Sequence, residues 1–238
     1  MKRHLIDRSV DPRAYLVLNN QDPALARLIS TYGHLPPFEW HDGGRTGRSQ
    51  FAAMLLHIVG QKISALAAFH IYDRIAEACG AIPSAAVVLA LGANTLRSFG
   101  LSGAKASYVL ALADAQMIGA IDIEAMADLD DAEVITRLTA IRGIGLWSAQ
   151  TFLIHNLARP DVLPAGDLRI RRAVAAQWHL PSLPTPAAVS VRAQRWAPFR
   201  SYAAALLWRS LTPKGEESDP KARAVEAEGK GMKRPAAR

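Results

Sequence analysis

Along the chain, apolar residues return at intervals of three and four and never hold an alternation of two. Ile63, Leu66, Ala67, Ile71 and Ile75 mark one such face, and that period is the signature of an amphipathic helix. No segment reads as a strand. The pattern breaks at Gly80–Pro83, Gly92, Gly100–Gly103, Gly119, Asp128–Asp131, Arg142–Gly145, Arg159–Asp167 and Pro181–Pro186. Gly, Pro and Asp punctuate helices there, and the stretches between them have ordinary helix length. Asp130 stands three residues before Glu133, the spacing of a capping box, and opens a segment that ends near Ile141. The expected fold is all-α.

From Pro213 onward large apolar residues all but vanish, and Lys214–Arg238 carries seven basic and five acidic residues. Such a composition cannot offset its ordering entropy by burial. Residues 214–238 are therefore expected to form a flexible charged tail, a solubilising extension before a DNA-binding arm. No internal repeat is visible.

Composition changes the picture in two ways. Half of the 238 residues are hydrophobic, enough for one core or two closely packed lobes. A formal charge of +7 and a pI near 9.9 make a polyanion the first partner to test, because Lys and Arg gain affinity by displacing counterions from phosphates. Cys79 is the sole cysteine, which excludes an intramolecular disulfide, a four-cysteine zinc site and a four-cysteine iron–sulfur cluster. Met1–Val10 holds no apolar run of signal-peptide length, and Phe51–Val59 and Val87–Leu91 fall far short of the roughly twenty residues that span a membrane. The expectation is a soluble cytoplasmic protein.

Candidate chemistry is concentrated in two neighbouring stretches. Leu138-Thr139-Ala140-Ile141-Arg142-Gly143-Ile144-Gly145-Leu146-Trp147-Ser148-Ala149 reads as helix, tight turn and helix. Glycines let the backbone turn sharply and let another surface come close, while the amides opening the second helix point outward with its positive dipole end. That suits a phosphate, although Gly-x-Gly between helices also serves as a plain turn. Next, Arg159-Pro160-Asp161-Val162-Leu163-Pro164-Ala165-Gly166-Asp167 leads straight into Leu168-Arg169-Ile170-Arg171-Arg172. Asp167 is well placed to cap the helix that follows. Between Leu163 and Thr212 it is the one carboxylate among seven arginines, surroundings that favour its ionised form.

Hairpin and loop, in this order and spacing, resemble the helix-hairpin-helix superfamily of DNA glycosylases, named for that hairpin and a Gly/Pro-rich loop ending in aspartate. Within it they are similar to the alkylpurine (3-methyladenine) branch. The resemblance extends to Phe51–Ser64, like the family's apolar helix followed by Gln-x-x-Ser, to Leu101-Ser102-Gly103-Ala104-Lys105-Ala106, and to Trp196–Ala203 running on to Trp208, like its closing helix. It covers about Phe51 to Thr212.

The resemblance implies that hairpin amides around Arg142, Gly143, Ile144 and Gly145 hold a DNA phosphate, often with a monovalent Na⁺ or K⁺ on the hairpin carbonyls. No side-chain metal site and no other cofactor is expected. It gives the catalytic role to Asp167: breaking an N-glycosidic bond builds positive charge on the sugar, which a fixed carboxylate stabilises directly or by orienting water. An N-alkylated purine already carries positive charge and leaves without a second carboxylate. Bifunctional relatives carry a Schiff-base lysine two residues after the second glycine; here Trp147 stands there, which predicts an abasic product without strand cleavage. An indole also stacks well on a flipped, cationic base, against the plainer reading of a core tryptophan. Trp208 matches a second pocket aromatic, with a core role as its competitor. Gln61 and Lys62 lie where relatives carry the residue that fills the gap left by the extruded base, and Arg169 is a further DNA contact; a surface lysine is the plainer reading of Lys62.

Two departures touch selectivity and architecture. Thr151 stands where some relatives have a pocket tyrosine, and Asp11–Tyr32 reads as helix or loop where some carry a β-rich domain. His57, His70 and His155 show no metal-ligand spacing. Residues 1–213 are thus expected to form a glycosylase core: a middle helical lobe over about 51–149, a second lobe from the N-terminal segment plus 150–213, and an active-site cleft between them. The expected protein is a monomeric, monofunctional DNA glycosylase that excises alkylated purines from double-stranded DNA, with no membrane partner. A glycosylase for another damaged base, a non-enzymatic hairpin protein that binds DNA, and a basic helical protein with only a protein partner are the alternatives.

Overall fold

The computed structural model describes residues 6–212 and 219–231. Among them are twelve α-helices, two short 3-10 helices and no strand. The chain divides into two compact units. One joins the residues up to Trp40 to the stretch from Ala149; the other runs from His41 to Ser148 and takes in the residues from Asp219.

In the first unit, α1 (Pro12–Gln21) and α2 (Pro23–Tyr32) both open on Asp-Pro. The aspartate side chain accepts a backbone N–H of the first turn, Arg13 N on Asp11 and Ala24 N on Asp22, and proline costs nothing at a position whose N–H has no helical partner. Asp22 is almost wholly buried and its other oxygen accepts the indole N–H of Trp196 at 3.0 Å. The unit continues with α9 (Leu168–Gln177), α10 (Pro186–Arg192), a 3-10 turn at Ala193–Trp196 and α11 (Arg200–Ser210). α11 packs on α2 and α9.

The second unit is built around α3 (Gln50–Val59), whose residues from Phe51 to Val59 are all buried, as a run that is apolar but for His57 requires. α4 (Ala65–Ala78), α6 (Gly103–Met117) and the 3-10 segment Ile123–Asp128 pack on it, and α5 (Ala85–Ser98) packs on α6. α5 is kinked at Gly92, where φ is +69°, a conformation that costs glycine nothing. α7 (Asp131–Thr139) is capped by Asp130, which accepts Glu133 N at 2.8 Å; the Glu133 carboxylate pairs with Arg137 instead of completing the box. α8 (Leu146–His155) crosses the boundary between the units.

The segment read as a flexible tail contains a helix, α12 (Pro220–Gly231), packed on α4 within the second unit. Asp219 caps it by accepting Lys221 N and Ala222 N, and Ala222 and Ala224 are buried. Arg45, whose guanidinium lies over the Phe69 ring, forms ion pairs with Asp73 of α4 and Glu228 of α12. Small side chains and a charge pair, not large apolar residues, hold this helix, which is why composition concealed it. The rest of that segment, 214–218 and 232–238, lies outside the described residues. No described helix is long and apolar enough to cross a membrane.

Candidate active site

The hairpin lies in the second unit. After α7 the chain turns with Ile141 N–H on Leu138 O and Ile144 N–H on Ile141 O, both at 3.1 Å. Gly143 has φ +92°, and a Cβ there would stand 2.0 Å from Cγ of Tyr108 on α6: only glycine lets the turn lie flat on that ring. Gly145 differs, since its φ is ordinary and a Cβ would meet nothing within 4 Å. Of the two uses expected of the glycines, a sharp turn and the close approach of another surface, Gly143 serves the turn and Gly145 leaves open space. Ile144 buries its side chain, so any contact it makes with a phosphate is through the main chain. Arg142 is exposed, with its guanidinium 5.9 Å above the Tyr108 ring.

The loop between α3 and α4 reaches the same hairpin. The Gln61 side-chain amide donates to Gly143 O at 3.0 Å, whereas Lys62 is exposed and held at φ +56°. Sequence placed both residues at the gap left by an extruded base; the structure ties Gln61 to the hairpin and leaves Lys62 exposed. Below them Lys105 donates from Nζ to Val59 O at 2.9 Å, and burial pushes its ammonium below the usual lysine range. The turn offers neutral carbonyl oxygens and no carboxylate, a donor set that fits a monovalent cation better than a divalent one. Among the described residues no cluster of His, Cys, Asp and Glu could hold a metal ion.

Trp147, the second residue of α8, is 47% exposed. That exposure excludes a buried core position for it.

The aspartate lies in the first unit. Asp167 is half-buried and caps α9, accepting Arg169 N at 2.7 Å and Ile170 N at 3.1 Å, both on Oδ1. Its own N–H is held by Pro164 O at 2.9 Å. The cap reading of the sequence therefore stands, carried by Oδ1. Arg169 donates from Nη2 to Trp208 O at 3.3 Å, so its guanidinium ties α9 to α11. Several neighbours are engaged in the same way: Arg171 donates to Pro184 O, Arg200 pairs with Asp161, and Arg192 and Arg209 lie over Trp178 and Tyr32. Arg172 and Arg195 are exposed.

Trp208 is half-buried and belongs to an aromatic pile. Its ring stacks on the His155 imidazole, 5.8 Å between centroids, and Trp40 lies 6.2 Å from the same imidazole on a tilted plane. His155 Nδ1 is 3.0 Å from Glu39 O. Tyr108 and Trp40 had no part in the sequence reading, and His155 entered it only as a histidine without metal-ligand spacing; the signal for its role here was its place one turn after Thr151 on α8. Thr151 is buried.

An all-helical chain in which a glycine turn opens one helix and a loop-borne aspartate caps the next has the framework of the helix-hairpin-helix proteins. The HhH-GPD superfamily of base excision DNA repair proteins matches residues 56–199, and the chain belongs to that family. It is similar to DNA-3-methyladenine glycosylase 1 of Schizosaccharomyces pombe, 29% identical over 201 residues that cover 83% of this chain and 86% of that one. The solved structure of the 3-methyladenine DNA glycosylase of S. pombe in complex with abasic DNA matches with a TM-score of 0.72 at 28% identity, over 86% of this chain and 99% of that one. The DNA-3-methyladenine glycosidase of Bacillus halodurans matches with a TM-score of 0.74 at 27% identity, over 92% and 96%.

Proposed function

We propose that this protein is a monofunctional DNA glycosylase that removes alkylated purines, of the 3-methyladenine and 7-methylguanine kind, from double-stranded DNA. The observation that carries the reading is the cap of α9: two backbone N–H groups fix the Asp167 carboxylate through one oxygen, at the end of a loop that the family uses for its aspartate. In this reaction the glycosidic bond breaks with its electron pair leaving on the base. Positive charge grows on the sugar and meets the fixed carboxylate. Water then adds at C1′ and gives up a proton, leaving an abasic site. A cationic alkylpurine departs as a neutral molecule and needs no general acid.

Trp147 supports both halves of the proposal. Its exposed indole suits an electron-poor base, and no amine stands at that position to form a Schiff base. The exposed Lys62 at the tip of its loop is the better candidate for filling the gap left by a flipped base, its aliphatic stem entering the stack, while Gln61 holds the loop to the hairpin. Trp208, stacked on His155, offers a further aromatic surface for a base. Hairpin amides take a phosphate, and a Na⁺ or K⁺ held by hairpin carbonyls would add positive charge beside it. The protein acts as a monomer in this reading.

The test is to incubate the protein with methylated duplex DNA, identify released bases by mass, and treat a parallel reaction with borohydride. Release of 3-methyladenine with no trapped protein–DNA adduct is expected. A trapped adduct overturns the monofunctional mechanism; release only of oxidised or mismatched bases overturns the substrate class.

A further inference from the structure

The motif Phe199-Arg200-Ser201-Tyr202, prominent in the sequence, has no role in the reaction as described so far. Its contacts give it one. Ser201 is fully buried, and at the start of α11 it faces the loop that leads to Asp167. Its backbone N–H donates to Pro160 O at 2.9 Å. Its hydroxyl accepts Val162 N–H at 3.0 Å and shares its own proton between Arg159 O at 2.6 Å and Val162 O at 3.1 Å. Arg200 grips the residue between them: Nε and Nη2 form a fork on the two oxygens of Asp161 at 2.7 and 2.8 Å, and its backbone N–H adds a third bond at 3.2 Å.

We propose that Arg200 and Ser201 are positioning residues for Asp167, clamping residues 159–162 so that the loop delivers the carboxylate to one place; this rests on the catalytic reading of Asp167. The rest of the loop passes the restraint on. Leu163 O accepts the Gln150 side-chain amide at 3.2 Å, Pro164 O accepts Asp167 N–H at 2.9 Å, and residues Val162 to Ala165 are buried. Two prolines, Pro160 and Pro164, lock φ along the way. Little freedom remains between clamp and carboxylate. A charge that stabilises a transition state loses about a hundredfold in rate from a displacement of about 1 Å, so slack introduced at residue 201 is felt at residue 167.

The experiment measures single-turnover release of 3-methyladenine, affinity for undamaged duplex and melting temperature for Ser201→Ala, Arg200→Lys, Asp167→Asn, the double variant Ser201→Ala/Asp167→Asn, and Leu18→Ala. Leu18 is a buried residue of the same unit on α1 and serves as a destabilised control. Ser201→Ala is expected to slow release at least about tenfold at a temperature where it is folded, with duplex affinity within about twofold, while folded Leu18→Ala keeps its rate. Arg200→Lys keeps the charge but loses the fork and is expected to slow release in the same pattern; it carries the test if Ser201→Ala does not fold. The double variant should be no slower than Asp167→Asn alone, because the clamp acts through that carboxylate. Unchanged release by folded Ser201→Ala or by Arg200→Lys, or losses that multiply in the double variant, overturn the clamp. Unchanged release by Asp167→Asn instead overturns the catalytic reading on which it rests.

Discussion

Asp167 does two things with one carboxylate. Oδ1 is committed to the first turn of α9, which fixes where the charge sits, and the charge itself is what the proposed chemistry uses. Asp167→Asn separates these roles. Asparagine caps helices about as well as aspartate, so stability should change by no more than about 1 kcal/mol. A lost charge interaction in the transition state is worth at least about 2.7 kcal/mol, on the order of a hundredfold in rate. The expected variant melts near the wild type, binds duplex DNA and releases 3-methyladenine at least about a hundredfold more slowly; near wild-type turnover would reduce Asp167 to a cap. This residue was legible because a cap and a Gly/Pro loop are local features. His155 and Trp40 were not, since the stack that gives them meaning joins residues 115 apart in sequence and no local pattern announces it.

At the scale of the element, the two hairpin glycines are not equivalent. Gly143 is required by the protein itself: a side chain there would be strained at φ +92° and would drive into the Tyr108 ring. Gly145 is not required by its protein neighbours, so its absent side chain keeps room for something else. Gly143→Ala should lower the melting temperature, by an amount consistent with a cost of about 1 kcal/mol or more. Gly145→Ala should melt like the wild type yet bind duplex DNA more weakly, because the added methyl stands where a phosphate would approach. Equal loss of melting temperature and affinity in both variants would make the pair a turn and nothing more. The glycines could be read from sequence, but their division of labour could not, because Tyr108 comes from a helix 35 residues earlier.

At the scale of the whole molecule, α12 shows how far a sequence reading reaches. Its start signal, Asp219-Pro220, is the one that opens α1 and α2, and was there to be seen. What stabilises the helix was not: Glu228 meets Arg45 across 183 residues of chain. Lys221 makes its packing sensitive to pH. Burial pushes this lysine down to about 8, against the opposing pull of Asp219 and Asp42. Unfolded, the ammonium keeps its proton up to its ordinary value of 10.5. Between those two values the unfolded chain binds more protons, so this group's contribution to stability rises with pH through that window and is flat below it. Melting curves at about pH 7.5 and about pH 9.5 should show the wild type gaining on Lys221→Met as pH rises; parallel shifts of the two proteins would refute the assignment.

The two units are interleaved along the chain, and this bears on how a newly made molecule matures. The unit begun before Trp40 resumes only at Ala149, and the one begun at His41 resumes only at Asp219. A ribosome that has just released Ser148 has therefore finished neither. At about 5–20 residues per second, the seventy residues from Ala149 to Ser218 take on the order of ten seconds to emerge. Throughout that interval the side of α4 that α12 will cover stands open, and nascent-chain chaperones have that long to act on it.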